Sequence, residues 1–187
     1  MVGKKVVVRS WICGFSMVFL CLVIVVSASV LSREEALAAA YPESQIQAER
    51  IFLTDQQRFR AETVGKVKIP SSLIARYVAL QKGRVVGRAY IDTHVVRSKK
   101  ESLLICLDGL GKVHRVEVTV FLEPPEYLAP PSWYRQYEGW KLNDELSLQR
   151  GIRSIAGATL TARSTNEAIR RVLAIDQVLV RKSVIRK

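Results

Sequence analysis

The stretch "GIRSIAGATLTARSTNEAIRR", residues 151–171, sets Gly157, Ala158 and Thr159 directly ahead of a helical pattern. Glycine and alanine let backbone N–H groups come close to an anion, and a helix starting at that point adds a dipole that favours negative charge. These are the residue types of a phosphate seat. They also suit the simpler and commoner role in which Thr159 is the N-cap of the helix. The local pattern alone leaves both open.

Other groups offer less chemistry. "GLGK" at 109–112 lacks the upstream glycine and following Ser or Thr of a phosphate loop and sits between two strand patterns, so it reads as a turn. His94 and His114 are the two histidines of the chain, and neither has a nucleophile or orienting carboxylate in the pattern of a triad; both read as strand side chains. Asp144 and Glu145 follow Asn143 in a solvated turn. Cys106 is the one cysteine beyond the first 32 residues, which reads as a small buried hydrophobe, and no Cys/His cluster is spaced for a metal.

The elements that must position the 157–161 stretch can be read from hydrophobic period and turn residues. "SREEALAAAYP" predicts a short helix capped by Ser32 and stopped by Pro42, or else a prolongation of the preceding apolar segment. "SQIQAERIFL" suits a strand. "TDQQRFRAETVG" has Thr54 and Gln57 at capping-box spacing and Gly65 as a stop. "SLIARYVAL" and "RVVGRAYIDTHVV" flank a turn at Lys82-Gly83, and "SLLICLD" and "KVHRVEVTVFL" flank one at 109–111, giving two consecutive β-hairpins. "EPPEYLAPPSWYRQYEGWKLND" is stiffened by prolines and rich in aromatics; it reads as an irregular loop that packs over a core edge or walls a planar ligand. A final helix from Thr161 or Ser164 to about Ile175 carries a Ser164/Glu167 capping box and an apolar stripe of Ala168, Ile169, Val172 and Leu173, followed by a frayed basic tail or a helix extension. The fold class is α+β, antiparallel hairpins packed with helices.

Ahead of all this, "WICGFSMVFLCLVIVVSASVL" runs uncharged from 11 to 31, preceded by Lys4, Lys5 and Arg9. It is long enough to span a bilayer as one helix and longer than a usual signal core, so it is read as a retained anchor, with a cleaved signal as the alternative. The chain thus divides into 1–32, an anchor or signal, and 33–187, a domain that the positive-inside rule puts outside a bacterial inner membrane, in the periplasm or outside the cell. With 29 Lys and Arg against 17 Asp and Glu in a chain of 187 residues, the net charge is +12. Anionic headgroups or an anionic cofactor are natural counterparts, a basic surface kept for solubility is the plain alternative, and no nucleic-acid-binding motif is present.

The stretch "IAGATLTARSTNEAIRRVL" resembles the signature of the FMN-binding domain family, which includes the covalent-flavin subunits of the sodium-translocating NADH:quinone oxidoreductase and of the Rnf electron-transport complex. The likeness extends upstream to "VEVTVFLEPPEYLAP" and "YEGWKL" and covers roughly residues 84–175. The resemblance implies FMN joined through its phosphate to the hydroxyl of Thr159 by an exported flavin transferase, with Gly157, Ala158, Leu160 and Thr161 around the attachment point. Glu123 and Pro124 occupy the matching upstream loop, and Trp140 and Tyr127 would either contact the ring or pack in the core. Arg97, Lys141 and Arg163, by their proximity in the matched segments, are candidate cations to favour an anionic reduced or semiquinone flavin, with a solvated basic residue as the alternative reading of each. Two positions depart from the family pattern: Ala156 stands where Ser or Thr is usual, and Arg153 where an acid is frequent. Pro125 and Glu126 also replace the family's Thr-Pro-Gly pattern.

The function so implied is that of a single-pass flavoprotein relaying electrons between a membrane redox partner, or a quinone-linked electron-transfer complex, and another carrier, rather than a stand-alone enzyme. A tethered assembly module of the same fold without covalent flavin, or a flavin-dependent reductase, are the alternatives.

Overall fold

The computed structural model describes residues 32–185, with side chains through Val180. The expected membrane segment over 11–31 lies outside the described residues; among those described, no helix is long and apolar enough to cross a membrane. The fold is α+β, built on one antiparallel sheet of five strands in the order β1-β2-β3-β4-β5. The strands are β1 (Gln45–Phe52), β2 (Leu73–Gln81), β3 (Arg84–Val95), β4 (Lys100–Asp108) and β5 (Val113–Phe121). The two expected hairpins are β2/β3 and β4/β5, and β3 also pairs with β4, with Ala89 opposite Cys106 and His94 opposite Glu101.

Helices α1 (Arg33–Ala40) and α2 (Asp55–Gly65) begin at capping boxes in which Ser32 pairs with Glu35 and Thr54 with Gln57. Ser32 has extended backbone, so α1 starts there and does not prolong a preceding helix. The stop of α2 differs from expectation. Gly65 is its last helical residue, and the left-handed cap is Lys66 at φ 54°. Gly65 serves close approach instead, because a Cβ there would lie 3.0 Å from the Cβ of Ala174 on the last helix.

That helix, α4 (Thr159–Ile185), packs with α2 on one face of the sheet. Its stripe of Ala168, Ile169, Val172 and Leu173 is buried as expected, against Tyr90, Leu103, Ile105 and Leu107. Of the basic terminal segment, the part described, through Ile185, is a helix extension, and its Val178 and Leu179 continue the apolar period and pack on the same core. On the opposite face α1 covers Ala79, Ala89, Leu104 and Cys106. With both faces covered, "LLICL" in β4 is a continuous apolar run and not an alternating one. Cys106 is fully buried, and burial pushes its thiol up to about 12.

The proline-rich connection holds more regular structure than its sequence suggests: a 3-10 turn at Pro125–Tyr127, a short helix α3 (Pro131–Tyr134) and a second 3-10 turn at Arg135–Tyr137. Proline at the start of each of the first two supplies a preset φ where no N–H is needed. Trp133 meets Tyr134 and Tyr137 edge-on, and Tyr137 is fully buried, so this loop closes the core beside α4.

Candidate functional site

The N-terminus of α4 lies earlier than the sequence suggests. The helix opens at Thr159, and its first backbone bond runs from the Ala162 N–H to the Ala158 carbonyl at 3.1 Å. The amides of Thr159, Leu160 and Thr161 therefore precede the hydrogen-bond ladder, where helices present donors to anions. Thr159 is thus in the first turn and is not an N-cap; the cap position falls to Ala158, which has no side-chain acceptor. Ser164 is not a cap either, because its hydroxyl donates back to the Leu160 carbonyl at 3.0 Å inside the helix. Gly157, at φ 79°, turns the chain into α4 through a backbone conformation that L side chains rarely adopt.

The two threonines differ sharply. Thr161 is buried and its hydroxyl donates to the Tyr127 carbonyl at 2.7 Å, fastening the helix start to the loop after β5. Thr159 is exposed, and among the described residues no side-chain hydrogen bond reaches its hydroxyl. Among the described residues no base is set against it, so nothing in this site activates the Thr159 hydroxyl as a nucleophile.

Opposite the helix start stands Glu123, just past β5. Its Oε1 accepts the backbone N–H groups of Arg97 (3.0 Å), Ser98 (2.6 Å) and Lys99 (2.7 Å), which closes the turn between β3 and β4 around a carboxylate. The amides of Ser98 and Lys99, then that of Arg97, hold the Glu123 carboxyl below its usual range. Arg97 lies over the Tyr127 ring, 5.8 Å from its centroid, and donates to the Tyr127 hydroxyl at 3.3 Å.

These pieces line one pocket of about 190 Å³, formed by Val96, Arg97, Glu123, Tyr127 and residues 157–161. Of the expected site residues, Arg97, Glu123, Gly157, Ala158, Thr159, Leu160 and Thr161 come together here, from segments far apart in sequence. Pro124, Trp140 and Lys141 stand outside it: Trp140 packs against the core and hugs Gly151, and Lys141 is exposed. Val96 joins the lining without a sequence signal of its own, beyond its adjacency to Arg97 at the end of a strand.

A buried ionic chain, which no sequence motif announces, runs along the same helix. Thr165, one turn beyond Thr161, lies 3.4 Å from Glu101, which is fully buried. His94 sits between two carboxylates, with Nδ1 at 2.9 Å from Asp92 and Nε2 at 3.0 Å from Glu101. Arg171 of α4 grips Asp92 through Nε at 2.6 Å and Nη2 at 3.0 Å. Since both ring nitrogens of His94 face acceptors, the imidazolium is the form that satisfies them. Burial opposes that charge, but the bonds to Asp92 and Glu101 outweigh it and lift His94 to about 9. Burial likewise opposes ionised Asp92, yet Arg171 and His94 bring it down to about 2. His94 is thus a strand residue with a structural charge, and His114, bonded to the Ala40 carbonyl at 3.1 Å, ties β5 to α1. One signal is present in the sequence: Asp92 and His94 alternate on the same side of β3 as Tyr90, polar residues at inward positions.

The chain matches no family model, no curated protein and no solved structure in comparison. Function must therefore be read from the residues themselves.

Proposed function

We propose that this chain is a membrane-anchored, extracytoplasmic flavoprotein that carries FMN as a phosphoester on Thr159 and relays electrons between a membrane redox partner and a second carrier. The observation that carries this is the meeting of two distant stretches, "FLEPPEY" and "GATLT", in one pocket, fastened by the Thr161–Tyr127 bond of 2.7 Å.

The residues present fit the group. Thr159 offers the exposed hydroxyl, whereas that of Thr161 is buried and engaged. The leading amides of α4 and the Arg97 guanidinium supply positive potential for a phosphate, and the Glu123 charge is absorbed by backbone amides. At about 190 Å³ the pocket is smaller than those that enclose whole ligands, about 300–1,000 Å³, so it suits one end of a nucleotide and leaves the rest at the surface. An exposed edge is what an electron relay needs. When bound, the flavin supplies the redox chemistry; the chain's residues hold its phosphate, orient it and set the local charge.

Forming the ester requires an activated donor. The Thr159 oxygen would bond the FMN phosphorus as the donor's phosphoanhydride bond breaks, and the hydroxyl proton would leave to a base of the flavin transferase, because none is set beside Thr159 among the described residues. Arg153 and Ala156, the two departures from the family pattern, have exposed side chains on the loop the transferase must read. The loop itself is held by the Arg153 N–H on Gln136 at 2.8 Å and by Trp133 on the Arg153 carbonyl at 2.8 Å.

The test is in-gel flavin fluorescence of the full chain co-produced with a flavin transferase. A fluorescent band after denaturing electrophoresis, dark in Thr159→Val and retained in Thr161→Val, is expected. A colourless wild-type band overturns the covalent reading and favours the tethered assembly module.

A further inference from the structure

The sheet face under α1 is only half covered. Along β1 and β2 the residues on this side run Ile46, Ala48, Arg50, Phe52 and Ala79, Tyr77, Ala75, Leu73; the register places Phe52 beside Leu73. Thr93 and Val95 of β3 and Lys100 and Ser102 of β4 share the side, and Val120 of β5 lies opposite Ser102. Leu122, two residues on, bonds the Lys100 carbonyl through its N–H at 3.0 Å. α1 covers the end near Leu107, where Tyr41 donates to the Arg88 and Leu107 carbonyls, each at 2.9 Å. The other end lies open. Phe52, Leu73, Val95, Val120 and Leu122 are all exposed there, Phe52 at 73% and Leu122 at 57%, in a band about 19 Å across five strands.

We infer that this open end of the sheet is a docking surface for an anionic bilayer, the membrane in which the chain is itself anchored. Three observations favour lipid over a protein partner. The charges on the open end are Arg50 and Lys100, neither with an ion-pair partner among the described residues, while Glu49, Asp92 and Glu101 point to the other face. The one acid the register puts on this side of β4 and β5, Glu117 opposite Leu104, is paired with Arg115, and apolar side chains interleaved with unpaired cations match the headgroup boundary of an anionic membrane. Second, Ser32, the residue that follows the uncharged stretch 11–31 in sequence, is already the N-cap of α1. Third, Arg33 at the start of α1 lies 5.6 Å from the centroid of the Tyr77 ring, so the chain joins the domain at the border of the open half. A domain joined there presents its open end to the surface from which it emerges.

The consequence reaches the pocket. Val96 and Arg97 follow directly on Val95, and Glu123 on Leu122, so docking at this end sets the pocket beside the bilayer, within reach of a membrane-embedded redox partner. The inference rests on the anchored reading of the chain, and the experiment separates the two. The full chain is reconstituted into phosphatidylethanolamine vesicles containing phosphatidylglycerol, with a photo-crosslinking residue at Phe52, Val95 or Val120. Phe59 and Leu110, exposed at 70% and 74% on other surfaces, are the controls.

Lipid adducts at the three open-end positions should exceed those at the controls about fivefold or more. Lys100→Glu should lower the Val95 yield by about fivefold. Equal yields at all five positions in protein that floats with the vesicles overturn the docking surface. Crosslinked dimers at Phe52 and Val120 overturn it in favour of a second copy of the chain. Protein that fails to float overturns the anchored reading and the docking surface with it.

Discussion

His94 gives the domain a pH dependence that can be worked out in advance. It is held as an imidazolium between Asp92 and Glu101, at about 9 against an ordinary value of 6.5. A group whose folded value is raised contributes stability that is fully present below the unfolded value and is lost as pH rises through the folded one. The window is therefore pH 6.5 to 9, and the shift is worth about 3 kcal/mol. For a domain of this size that corresponds to a fall of about 6–12 °C in melting temperature across the window. Thermal unfolding followed by tryptophan fluorescence, in a non-ionic detergent, reads it directly. His94→Gln should melt lower at pH 6.5 and converge with the wild type near pH 9. The difference between the two curves cancels every group they share. Parallel curves across the window would refute the buried imidazolium.

Asp92 sets the acid limit. Its folded value of about 2 lies below the ordinary 3.8, so its contribution is present above pH 3.8 and is lost as pH falls through 2; Asp92→Asn should abolish about 2 kcal/mol of that acid sensitivity in urea titrations. Asp176 pairs with both Arg88, through two bonds, and the Tyr90 hydroxyl at 2.7 Å, all buried. Asp176→Ala strands the Arg88 charge and should cost about 3–5 kcal/mol by the same titration, whereas a loss below about 1 kcal/mol would show the pair to be solvated. Gly157→Ala meets no atom within 4 Å and is penalised by its φ of 79° alone, so it should lower stability by about 1–2 kcal/mol and reduce flavin labelling at Thr159. Unchanged melting would mean that the turn relaxes without loss.

Much of the fold is legible in sequence because its signals are local. Ser32/Glu35 and Thr54/Gln57 mark two helix starts, and both hairpins follow from turn residues between apolar runs. The start of α4 escapes such signals for an equally physical reason. Ala158 carries no capping side chain, while Ser164 and Glu167 imitate a capping box inside the helix, where Ser164 bonds backward to Leu160 and Thr161. What fixes the true start is tertiary, the bond from Thr161 to the Tyr127 carbonyl. The ionic chain of Arg171, Asp92, His94 and Glu101 joins α4, β3 and β4 and needs the strand register to be seen. Trp140 is expected near the ligand because an aromatic in a proline-rich loop serves a core or a pocket equally well; here it serves the core.

Thr159 as a flavin carrier is best decided on the peptide itself. Trypsin cuts after Arg153 and Arg163 and releases "SIAGATLTAR", which contains Thr159 and Thr161 and no other threonine or tyrosine. In full-length protein co-produced with a flavin transferase, tandem mass spectrometry should find this peptide heavier by FMN less one water, with the added mass on Thr159. The unmodified peptide alone, or the added mass on Thr161 or Ser154, would contradict the assignment.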